Sequence, residues 1–145
     1  GTMDILSSVP IVAFYAAGHA LLHCFLSLDA VRARIKTDAH LGEPAFSNEF
    51  TLRRVRAHAN NVEYVPLTLL LFLIFELNHG APILSHAFGA FFLTVRIIHS
   101  FGLRHGTLSK YYRYTGFWGT MFTMVSLTLL NVLLALGVNL TASGT

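Results

Sequence analysis

Every one of the chain's ten lysines and arginines falls in two stretches, and the remainder is dominated by apolar residues. Arg32, Arg34, Lys36, Arg53, Arg54 and Arg56 occupy the first stretch; Arg96, Arg104, Lys110 and Arg113 occupy the second. Four apolar blocks lie at residues 9–28, 62–77, 81–98 and 117–138; the first stretch separates blocks one and two, and the second runs from the end of block three to the start of block four. The first block alone spans about 30 Å as a helix, enough to cross a bilayer. The second is short for that task unless the polar stretch before it continues the same helix. "NHGAP" separates the second and third blocks as a turn, and "TDAHLGEPAFSNE", 37–49, reads as a polar loop.

Composition points the same way. Hydrophobic residues make up 54% of the 145 and charged residues only 12%, with a mean hydropathy of +0.58. A soluble domain of this length has no interior large enough to hide so much apolar surface, so the expected solvent is lipid. The expectation is one all-α domain over residues 1–145, an integral membrane four-helix bundle. Gly1–Thr2 reads as an expression scar ahead of Met3, and no secretory signal fits the first block.

The confinement of positive charge sets the topology. Basic loops are retained in the cytoplasm, which places loops 29–61 and 99–116 inside and both termini outside. The net charge of +3 then reflects topology and anionic headgroups rather than nucleic acid. Tyr111, Tyr112, Tyr114 and Trp118 fall where an interfacial aromatic belt is expected.

"RVRAHANNVEYVP", residues 54–66, crowds polar groups at the entrance to the second span. Successive helical residues advance by about 100°, so with Arg53 at zero, Arg56 falls near 300°, Asn60 near 340°, Glu63 near 280° and Tyr64 near 20°. These five share one face; His58 and Arg54 belong to the ordinary flank. Arginine forks suit carboxylates, Glu63 accepts from an ammonium group, and Asn60 both donates and accepts. The face suits a small zwitterion with several carboxylates. An ionisable group inside a span costs about 2.5–3.5 kcal/mol, so Glu63 is expected to face a cavity or a partner, with Arg96 as the alternative partner. Pro66 removes a backbone donor just beyond and is expected to kink the helix.

The pattern Arg56-x-x-x-Asn60-x-x-Glu63-Tyr64-x-Pro66, together with "VRIIHSFGLRHG" closing the third span, resembles the membrane-associated proteins in eicosanoid and glutathione metabolism, the MAPEG family. That family includes microsomal glutathione transferases, leukotriene C4 synthase and the five-lipoxygenase activating protein. The resemblance implies a homotrimer of four-helix bundles with glutathione held between subunits near the cytoplasmic face. It places Arg56, Asn60, Glu63 and Tyr64 on glutathione-contacting positions, with Arg53 a helper one turn earlier and Arg96 on the third span. In the first span, Arg32 or Arg34 is similar to an arginine near the substrate.

The chain departs from the family in the third span. Where the eicosanoid enzymes carry a tyrosine three residues after the arginine, this chain has His99, and a second tyrosine position is Leu103. The thiol-activating arginine of the leukotriene enzyme aligns near Lys110, with Arg104 and Arg113 as rivals. A cation lowers a thiol pKa and a thiolate is the nucleophile, so Arg104, Lys110 and His99 are the catalytic candidates. The bland expectation for His99 is capping by a carbonyl.

Other features carry less chemistry. His19 and His23 share a helical face, but no third ligand accompanies them and no metal is expected. His86 has no evident partner. Cys24, the one cysteine, is expected as an inert core residue. Gly89, Gly116 and Gly119 are expected to allow close helix approach. Two functions follow: a glutathione transferase or peroxidase acting on lipophilic small molecules arriving through membrane lipids, or a non-catalytic ligand-binding scaffold. A transporter is less favoured, since no span carries a polar stripe along its full length.

Overall fold

The computed structural model describes residues 10–39, 47–105 and 109–138. Gly1–Thr2, Val9 and part of the 37–49 loop lie outside them. Four helices account for nearly all of the described chain: α1 (Pro10–Lys36), α2 (Glu49–Leu77), α3 (Pro82–Arg104) and α4 (Ser109–Ala135). All four are long and apolar enough to cross a membrane, so the fold is the expected all-α bundle. α2 and α3 form its shared centre, each packed on the other three helices, with α1 and α4 on either side.

The helices outrun the apolar blocks. α1 continues to Lys36, α2 starts at Glu49 and α4 at Ser109, so much of the two expected basic loops is helix. Lipid demands apolar side chains only within its hydrocarbon; the helix itself continues where headgroups and water accept charge. The start of α2 is capped by Asn48, whose side chain accepts from the Thr51 N–H at 3.2 Å. The helix runs unbroken through Pro66.

The apolar core lies toward the end where α1 begins. Val12, Tyr15, Phe72, Phe75 and Leu127 cluster there. The Glu76 carboxylate accepts from the Ile11 and Val12 N–H groups at 3.1 and 2.7 Å. These are among the donors a helix start leaves without partners, and the negative charge also complements the helix dipole.

Contact between α3 and α4 depends on three bare backbones, at Gly102, Gly116 and Gly119. A Cβ on Gly116 would lie 2.2 Å from His99 Cβ, and one on Gly119 would lie 2.7 Å from Val95 Cγ1. Gly89 gives Tyr15 the same allowance, at 2.2 Å. Cys24, by contrast, is exposed, which corrects its assignment to the core. An apolar neighbourhood says nothing about burial when the surroundings are lipid: Leu21, Phe25 and Leu28 beside it are exposed as well.

Candidate functional site

The polar face of α2 forms one wall of a cavity of about 550 Å³, at the end of the bundle where α2 begins and α3 ends. Arg53, Arg56, Asn60, Glu63 and Tyr64 all line it, joined by Glu49 and Leu52 from the first turn of the helix. Residues three and four apart stack on one helical face, so a local sequence rule suffices to gather them. α3 supplies His99, Gly102 and Leu103, and α4 supplies Lys110, Arg113, Tyr114 and Phe117. Edge-to-face packing of Tyr64 on Phe117, with centroids 6.5 Å apart, joins the walls from α2 and α4.

The charges are unevenly distributed. Four cations, Arg53, Arg56, Lys110 and Arg113, face two carboxylates, Glu49 and Glu63. Arg53 and Glu49 pair with each other along α2. Glu63 is exposed to the cavity and has no hydrogen-bond or ion-pair partner among the described residues. The alternative pairing of Glu63 with Arg96 is not formed.

Arg96 lies one layer deeper. It is 1% exposed and does not line the cavity. Its Nη2 donates to Asn60 Oδ1 at 2.8 Å and its Nη1 to Thr120 Oγ1 at 3.4 Å. Its guanidinium stands 6.0 Å from the Tyr64 ring centroid. Arg96 therefore braces the α2 wall from behind.

His99 does line the cavity. Its Nδ1 lies 3.0 Å from the Arg113 carbonyl oxygen. A carbonyl only accepts, so Nδ1 carries a proton, and whenever the ring is neutral its lone pair is on Nε2. The carbonyl cap expected of an interfacial histidine is present, and it fixes the tautomer.

Arg104 has a different partner. Its Nε and Nη2 donate to Asp29 Oδ2 and Oδ1 at 2.7 and 3.2 Å, and it does not line the cavity. Arg54 approaches the same carboxylate at 3.5 Å. Asp29 thus ties α1 to α2 and α3, which the sequence reading missed; only its position as the one acid in α1 signals it. Of the three arginine-or-lysine candidates for the thiol, Lys110 and Arg113 reach the cavity and Arg104 does not.

Arg32 and Arg34 sit near the end of α1, away from the cavity wall. His19 packs on Phe92 with ring centroids 4.6 Å apart, whereas His23 packs on His58 at 5.1 Å. His86 does have a partner: its Nδ1 lies 3.3 Å from the Tyr15 hydroxyl.

Comparison with known proteins agrees with this architecture. The model of the MAPEG family matches residues 12–133. Inner membrane protein YecN of Escherichia coli K12 is 31% identical over 120 residues, covering 83% of this chain and 88% of YecN. YecN of Escherichia coli O6:H1 matches to the same extent.

Proposed function

The chain belongs to the MAPEG family and is an integral, multi-pass membrane protein; on that premise we propose that it binds glutathione and acts as a glutathione transferase or peroxidase on lipophilic electrophiles. The observation that carries this reading is the charge pattern of the cavity. Four cations against two carboxylates leave an excess of two positive charges. Glutathione as its thiolate bears two carboxylates, one thiolate and one ammonium, so the excess is complementary. Glu63, acceptor-only and unpaired among the described residues, suits the ammonium, and the arginines suit the carboxylates.

In the reaction, Lys110 and Arg113 hold the sulfur as thiolate by stabilising its negative charge. The thiolate attacks an electrophilic carbon, a C–S bond forms, and the electron pair of the broken bond leaves with the displaced group. The proton lost from the thiol passes to solvent or to His99 Nε2, the ring atom left with a lone pair. The lipophilic partner enters from the bilayer beside Phe117 and Tyr114. We place the site at the cytoplasmic face, with both termini outside, from the confinement of all basic residues to one side. A homotrimer closes the open side of the cavity, and Arg32 or Arg34 of α1 reaches it from a neighbouring copy.

Leu103 in the cavity and the commitment of Arg104 to Asp29 favour a second reading, a binding protein without turnover. Purified protein in detergent, given glutathione and a chlorinated aromatic electrophile, separates the two. Thioether formation that is lost in Lys110→Ala/Arg113→Ala supports the transferase. Glutathione binding with no thioether supports the scaffold.

A further inference from the structure

An asparagine amide carries an acceptor at one end and donors at the other, and which end faces a ligand decides what the site recognises. The two ends are nearly the same shape, but their chemistry distinguishes them here. Arg96 Nη2 lies 2.8 Å from Asn60 Oδ1, and a guanidinium only donates, so the atom it meets must be the oxygen. Arg96 is itself fixed from the other side by Thr120. The Thr120 hydroxyl donates to the Gly116 carbonyl at 2.8 Å, which leaves its oxygen lone pairs for Arg96. The direction of every bond in this chain is therefore determined, from Gly116 through Thr120 and Arg96 to Asn60.

We infer that Arg96 is a positioning residue: by holding Asn60 Oδ1 inside the bundle, it fixes the Nδ2 amino group toward the cavity as a pure donor. The inference rests on the reading of the cavity as a glutathione site and deepens it. Asn60 lines the cavity, and its Nδ2 bonds to nothing among the described residues. The ligand atom opposite must be an acceptor, which in glutathione is a carbonyl or carboxylate oxygen or the sulfur. One turn further along α2, Glu63 offers only acceptors. The wall thus reads its ligand in a fixed order, an acceptor at Asn60 and the ammonium at Glu63. A buried arginine with two neutral partners is otherwise a costly choice for a membrane bundle, since leucine or methionine would fill the same space.

The test is glutathione titration of purified full-length protein in detergent, with thermal unfolding recorded for each variant. Asn60→Asp keeps the shape and the contact with Arg96 but replaces the donor by an acceptor. Its expected result is a glutathione Kd weakened by at least about tenfold, with a melting temperature equal to or above that of the wild type. Arg96→Lys retains a donor for Oδ1 and is expected to bind within a few-fold of the wild type. Arg96→Met lets the amide turn and is expected to bind about tenfold more weakly than Arg96→Lys. Wild-type Kd in Asn60→Asp, or equal Kd in Arg96→Lys and Arg96→Met at comparable melting temperature, overturns the inference while leaving the glutathione reading intact. Wild-type protein that does not bind glutathione overturns that reading itself, and the inference with it.

Discussion

Asp29 on α1 receives both hydrogen bonds of a guanidinium fork from Arg104 on α3, at 2.7 and 3.2 Å. The pair is mostly shielded, with side-chain exposures of 17% and 18%, and Arg54 of α2 joins it at 3.5 Å. It joins three helices at one carboxylate. Removing one partner strands the other charge in a poorly solvated place. Asp29→Asn is therefore expected to destabilise the fold by about 1–3 kcal/mol. Thermal unfolding in detergent checks this. In a double-mutant cycle, Arg104→Ala is expected to cost little further once Asp29 has been neutralised.

The same contact divides the cations at the mouth of the site. Lys110 and Arg113 line the cavity, whereas Arg104 is held outside it. The thiolate absorbance of bound glutathione, followed against pH, gives the thiol pKa directly. Lys110→Ala is expected to raise it by about one unit, because a cation near sulfur stabilises only the ionised form. Arg104→Ala is expected to leave it unchanged. If Arg104→Ala raises the thiol pKa and Lys110→Ala does not, the assignment is reversed.

Packing against α3 predicts a sharp contrast between two glycines, Gly116 on α4 and Gly18 on α1. A methyl group on Gly116 would lie 2.7 Å from the backbone Cα of His99, which cannot move alone. One on Gly18 would meet only the end of the Leu93 side chain, at 2.8 Å. Gly116→Ala is expected to cost about 1–3 kcal/mol and to weaken glutathione binding by displacing His99. Gly18→Ala is expected to be nearly neutral, since a flexible leucine can turn away. Unfolding curves of the two variants, side by side, decide the point.

At the opposite end, Glu76 caps the start of α1 through two backbone N–H groups. Glu76→Gln keeps one acceptor oxygen and loses the charge that complements the helix dipole. The expected cost is about 0.5–2 kcal/mol, read as a lower melting temperature with glutathione affinity unchanged, since the cavity lies at the far end.

The legibility of this molecule in its sequence follows the range of the interactions involved. The face made by Arg56, Asn60, Glu63 and Tyr64 was readable because helical spacing is a local rule, and the cavity gathers all four. The spans were readable from apolar length, but their ends were not: hydropathy falls where lipid stops, while hydrogen bonding carries α2 back to Glu49. The family resemblance assigns Arg96 to the ligand, yet Arg96 is buried behind Asn60. Depth within a bundle is set by the crossing of helices and leaves no periodic mark on one of them. Arg104 was equally ambiguous until Asp29, 75 residues away in the chain, came beside it. Cys24 was misplaced because lipid rewards an apolar face outside as well as in.

Glutathione binding to the purified full-length protein, measured by titration calorimetry for the wild type and Glu63→Gln, bears most directly on the central claim. Saturable binding by the wild type is expected, with affinity reduced at least about tenfold in Glu63→Gln because the ammonium loses its carboxylate. The contradictory result is no binding by folded wild-type protein, or binding that Glu63→Gln leaves unchanged.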